Sequence, residues 1–186
     1  MKDSKVIRLN RAQNMEPDAV LVIFFLFSFA GWLWEGVFVG MRYGMFINRG
    51  FLHGPWLPIY GTGGLLMITL LRDWKHRPIV VYFGSVILCA IVEYVTGFFL
   101  ETFYHQKWWD YSNFSLNLQG RICPQDTMFF GVFGMFAVYY AAPYLLSKMR
   151  RQSHLRILVC VILTMVFTMD LMLSLISPNM GLGITY

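Results

Sequence analysis

Charge is what this sequence has least of. Only 13% of its 186 residues are charged, against about 25% in a soluble domain. Lysine and arginine exceed aspartate and glutamate by a formal +5, but the basic residues lie in short loops between apolar runs. That distribution excludes a phosphate-tracking nucleic-acid binder and fits the loop bias of membrane proteins. Cysteine is scarce as well. Cys89, Cys123 and Cys160 form no CxxC pair and are too scattered for a disulfide framework. Cys89 and Cys160 fall in apolar runs as packing residues; Cys123 falls in a polar segment as a free thiol. His53, His105 and Asp110 are the nearest approach to a metal-ligand set, but no HExxH or tight His/Cys group is present. No metal and no cofactor is expected. Gly61-Thr62-Gly63-Gly64 lacks the Lys-Ser/Thr ending of a phosphate loop and is read as close helix packing. The polar segment Met1 to Glu16 has no short apolar region followed by a cleavage site, so no removable signal peptide is expected. Long linkers, low-complexity tracts and internal repeats are missing too, which leaves one domain.

What the chain has in abundance is apolar length. Hydrophobic residues make up 57% of it, and mean hydropathy is +0.54. A hydrocarbon layer about 30 Å thick takes about 20 apolar residues as helix. Spans are expected at about Ala19–Met41, Ile79–Leu100, Met128–Leu146 and Leu155–Ile176. A further run, Leu57–Leu71, is shorter, about 22 Å as helix. It follows His53-Gly54-Pro55-Trp56-Leu57-Pro58, where proline removes donors and glycine permits unusual dihedrals. The fold class is therefore all-α, a polytopic transmembrane bundle of about five spans. Irregular or re-entrant segments join spans 1 to 2 and 3 to 4. Residues 1–18 form an N-terminal cytoplasmic segment, 19–177 the transmembrane domain and 178–186 a short outer tail.

With the N-terminus inside, inner segments hold eleven of the fifteen lysines and arginines, leaving Arg42, Arg49, Lys107 and Arg121 outside. Trp56, Trp108, Trp109 and Tyr111 then fall at the outer boundary, where amphipathic rings favour the headgroup region. The polar residues of the spans fall near the same face. Glu35 and Glu93 lie late in outward-running spans, Gly97 and Glu101 continue the Glu93 face at spacings of four, and Asp170 lies late in the fifth span. Ionisable groups beside hydrocarbon are costly and mark functional sites. Two outer segments complete the set, one with Asn48, Arg49 and His53 leading to Tyr60, the other with Trp109, Asp110, Tyr111, Asn117 and Arg121. The two arginines either hold a phosphate or carboxylate, as in an anionic solute or lipid headgroup, or neutralise the membrane carboxylates.

Five runs in order carry a resemblance: Gly31-Trp32-Leu33-Trp34-Glu35; Asn48-Arg49-Gly50-Phe51-Leu52; Gly54-Pro55-Trp56-Leu57-Pro58-Ile59-Tyr60-Gly61; Trp108-Trp109-Asp110-Tyr111-Ser112; and Asn117-Leu118-Gln119-Gly120-Arg121-Ile122-Cys123. Over about Phe24–Phe133 the chain resembles the bacterial type IV ABC-transporter permease family. The resemblance implies a multi-pass protein of the bacterial inner membrane and a permease component. No nucleotide-binding motif is present, so any ATPase would be a separate subunit, and few spans imply a homo-oligomer. In that reading Glu35, Asn48, Arg49, His53, Tyr60, Glu93, Glu101, Trp109, Asp110, Tyr111, Asn117 and Arg121 bind substrate. The alternative from the residues alone is a membrane-embedded enzyme acting on a lipid or lipid-linked substrate at the outer leaflet. Glu93 and Glu35 would then be catalytic.

Overall fold

The computed structural model describes residues 15–149 and 153–180. The basic residues Lys2, Lys5, Arg8, Arg11, Arg150 and Arg151, and the last part of the proposed tail, lie outside the described residues. Among the described residues five helices follow in order: α1 (Pro17–Tyr43), α2 (Pro58–Leu71), α3 (Pro78–Tyr104), α4 (Pro124–Lys148) and α5 (His154–Ile176). Among the described residues no β-strand forms; an isolated bridge joins Leu118 and Ile122. All but α2 are long and apolar enough to cross a membrane.

Local chemistry explains the helix boundaries. Pro17, Pro58, Pro78 and Pro124 each open a helix, where the missing N–H costs nothing and the fixed φ is already helical. Gly44 ends α1 in the left-handed region at φ 74°, its N–H returning to the Gly40 carbonyl. In α4 the backbone widens to a π-turn over Ala137–Ala141, with the Ala142 N–H bonding back to the Ala137 carbonyl. Pro143 follows at once. Its ring would crowd the carbonyl four residues earlier in a regular helix, and the wider turn relieves that clash.

The two longer connections do not cap the bundle; they fold back into it. Residue Leu57 donates its N–H to the Ser28 carbonyl at 3.0 Å, so α2 begins about four turns below the end of α1. The second connection returns along α3 until Tyr111 reaches Glu93, about three turns below Tyr104. The irregular segments expected between spans 1 and 2 and between 3 and 4 are thus both re-entrant. The sequence shows no internal repeat, yet the halves share a plan: long helix, returning connection, proline-opened helix.

Packing then fixes the direction of α2. Gly61 allows the helix to lie against Phe24 and Ser28, and at its other end Ile68 packs with Ile23, Ala137 and Ala142. The short helix therefore runs from the returning connection to the opposite end of the bundle. A second cluster, Met67, Leu71, Val81, Cys89 and Val138, joins α2, α3 and α4. Helix α5 lies against α1, with Phe167 among Phe24, Phe25 and Trp56. At the end holding the α1 N-terminus, Arg156 of α5 pairs with buried Asp18 of α1 at 2.5 Å. The outward faces of the helices are lined with large apolar side chains.

One expectation is corrected here. Trp56 and Trp108 are 8% and 7% exposed and do not belong to a headgroup belt. Their indole N–H groups are consumed inside the protein, by Asp170 at 2.7 Å and by the Asn179 carbonyl at 3.1 Å. Cys123, expected as a free thiol, is free but buried, at 1% exposure. Burial pushes its thiol up from the ordinary cysteine value.

Candidate functional site

The polar side chains gather at the end where the connections return, but in separate groups. In the first, Arg49 of the α1–α2 connection meets Glu35 of α1 at 3.3 Å. The same carboxylate accepts the Tyr60 hydroxyl of α2 at 2.7 Å. Arg49 also donates to the Trp108 carbonyl at 3.2 Å, which ties the two connections together.

The second group centres on Tyr111. Its hydroxyl lies 2.8 Å from Glu93 Oε1 of α3 and 2.7 Å from Asp126 Oδ2 in the first turn of α4. Glu93 is 6% exposed, and its Oε2 has no hydrogen-bond partner among the described residues. Burial and the fields of Glu93 and Asp126 push the Tyr111 phenol far above its ordinary value, so it keeps its proton. Tyr60 and Glu35 lie within electrostatic range of this group.

The third group is an ion pair of Arg121 with Glu101 at 2.7 Å. The guanidinium rests on the rings of Tyr94 and Phe98 and also contacts Gln119. Trp109 and Arg121 fill the space left by Gly97, so the gap between the two glutamates of α3 is occupied by the connection itself.

The remaining candidates serve the loops. Asn48 accepts from Gly50 N–H and Trp32 Nε1 and donates to the Leu52 and His53 carbonyls. Asn117 accepts from Gly120 N–H and donates to the Ser112 and Phe114 carbonyls. Trp109 donates to the Arg121 carbonyl. Asp110 binds Ser112 and Lys107 and meets none of the glutamates. Burial would raise its carboxyl, but the Ser112 hydrogen bonds and the Lys107 ammonium more than offset this and hold it below the usual range. Exposed His53 bonds through Nδ1 to Ser174 and lies 3.6 Å from Asp170. Among the described residues no group of three His, Cys, Asp or Glu is arranged to hold a metal.

The family described as "Putative ABC-transporter type IV" matches residues 22–175. The chain belongs to this family. The match continues well past Phe133, where the motif resemblance ends, and takes in α4 and nearly all of α5. With its long apolar helices, this member of the ABC-transporter type IV family is a multi-pass membrane protein. No curated protein and no solved structure matches the chain.

Sequence reasoning missed Asp126. A carboxylate in the first turn of a helix reads as a partner of the helix dipole, and Pro124-Gln125-Asp126 follows the last recognisable motif. Its meeting with Tyr111 becomes visible only when the connection folds back. The pairing of Asp18 with Arg156 was missed for a similar reason, since the two lie at opposite ends of the chain.

Proposed function

We propose that the chain is the permease component of an ABC-type transporter, seated in the bacterial inner membrane with its N-terminus in the cytoplasm. A separate ATPase subunit would supply the energy, because the sequence holds no nucleotide-binding motif. The observation that carries this reading is the polar interior. Glu35, Arg49 and Tyr60 form one group and Glu93, Tyr111 and Asp126 a second, within electrostatic reach of each other, where the returning connections lead into α2 and α4. Interrupted helices whose starts lie within the bundle are how transporters build binding sites at depth. Orientation rests on the basic residues Arg72, Lys75, Arg77 and Lys148, which favour the cytoplasmic side.

The anion-binding role falls to Arg49 and Arg121. Each is held by a glutamate, and an anionic solute or lipid headgroup would replace that carboxylate in the guanidinium fork. Native mass spectrometry of the protein extracted gently from its own membrane tests the assignment. A co-purifying ATP-hydrolysing subunit is expected. A lone chain or homo-oligomer that retains one particular lipid would overturn the permease reading in favour of an enzyme working on that lipid.

A further inference from the structure

We propose that Glu93, Tyr111 and Asp126 form a proton-binding site, in which the two carboxyl groups hold one proton between them in addition to the proton of the phenol. The inference goes beyond transport and needs no partner subunit.

The argument is a count of protons. A phenol has one hydrogen to donate and lone pairs to accept. Tyr111 Oη stands within hydrogen-bond distance of both carboxyl groups, at 2.8 and 2.7 Å. If both were ionised, both would be acceptors only, and a single phenolic hydrogen would have to serve the two. The second contact would then set oxygen lone pairs against each other. A proton on either carboxyl removes the conflict: that group donates to the phenol oxygen, and the phenol donates to the other. The chain carboxyl–phenol–carboxylate is fully paired, and the proton's position reverses if both hydrogens shift together.

The surroundings agree. The carboxyl groups are no farther apart than two hydrogen bonds laid end to end, and like charges that close disfavour double ionisation. No lysine, arginine or histidine forms an ion pair with either of them among the described residues. The groups facing the pair are Tyr60 of α2, Glu35 of α1, Cys89 of α3 and Cys123 before α4. Of the nearby cations, Arg49 is engaged by Glu35, and Arg121, which rests on Tyr94 beside Glu93, is engaged by Glu101. Oε2 of buried Glu93 has no hydrogen-bond partner among the described residues, so no donor there favours the ionised carboxylate.

The site has a mechanical consequence. Tyr111 belongs to the returning connection, Glu93 to α3 and Asp126 to α4. Loss of the proton forces the phenol to release one carboxylate, so proton exchange loosens the connection from one of the two helices.

Infrared difference spectroscopy of the full chain in lipid nanodiscs tests the proposal, comparing the protein with Glu93→Gln, Asp126→Asn and Tyr111→Phe. The expected result is a protonated-carboxyl carbonyl band at neutral pH that moves in heavy water. It should be lost in the acid-to-amide variant that removes the carrier and shifted in Tyr111→Phe. Absence of the band from the unsubstituted protein would overturn the proposal without any variant. Indifference of the band to all three substitutions would overturn it equally. A pair found ionised, with spectra that respond to sodium or potassium, would replace the proton by a monovalent cation.

Discussion

Replacing Asp170 with alanine should detach the first returning connection from α5 while leaving the rest of the bundle folded. The carboxylate accepts the backbone N–H groups of His53 and Gly54 at 3.1 and 2.9 Å, the Trp56 indole N–H at 2.7 Å and the Ser174 hydroxyl at 3.3 Å. His53 is exposed, so its N–H recovers a partner in water. Gly54 and Trp56 are not so placed, and Trp56 is buried. Each stranded donor costs about 1–3 kcal/mol, which puts the loss near 4 kcal/mol for the pair. Because every 1.4 kcal/mol is a factor of ten, local opening becomes about a thousandfold more frequent.

Hydrogen exchange read by mass spectrometry resolves this locally. Exchange should accelerate in peptides covering residues 50–57 and the C-terminal half of α5, while peptides from α3 near Val81 keep their protection. Asp170→Asn retains one acceptor oxygen and should show a smaller acceleration. Unchanged protection at residues 50–57 in Asp170→Ala would refute the reasoning. Uniform acceleration across all helices would do so as well, since it would make Asp170 a determinant of the whole fold.

Other expectations follow from the same geometry. Tyr60→Phe removes the hydroxyl donated to Glu35 and should lower thermal stability in detergent by about 1.5–3 kcal/mol, the range for a bond to a charged acceptor. Gly134→Ala should destabilise by about 1–3 kcal/mol through overpacking, because the new methyl falls on the side chain of fully buried Ser85. Gly63→Ala, whose nearest contact would be Cys89 Sγ at 3.8 Å, should melt like the unsubstituted protein. The folded Asp110 carboxyl titrates below its unfolded value, so its stabilisation is complete above the unfolded pKa of about 3.9 and is lost as pH falls through the lower folded value. Melting curves of Asp110→Asn and the unsubstituted protein should therefore differ at neutral pH and converge in strong acid.

Much of the architecture was legible because its causes are local. Long apolar runs mark α1, α3, α4 and α5, and the shortness of the run ending at Leu71 already implies a non-helical stretch before it. The roles of individual polar residues were less legible because they depend on depth. Trp56 and Trp108 read as interfacial until the connections are seen to return, which takes both rings inside. The two readings of Arg49 and Arg121 could not be separated by sequence, since pairing with Glu35 and Glu101 depends on how far each connection descends. Asp126 was invisible for the same reason.

The returning connections also separate the polar residues by task. Backbone brought below the ends of α1 and α3 must satisfy its N–H and C=O groups without relying on bulk water. Asp170, Asn48 and Asn117 do this for the connections, joined by Asn179, which donates to the Asn48 and Gly50 carbonyls. Trp109 does it for Arg121. Substituting these residues should disturb structure first. Glu35, Tyr60, Glu93, Tyr111 and Asp126 make side-chain contacts with one another instead, and one oxygen of Glu93 is left without a partner. A buried polar group that supports no backbone and is incompletely satisfied costs stability. Among the polar residues at this end of the bundle, this subset and the Arg121–Glu101 pair are the ones whose presence the fold alone does not explain.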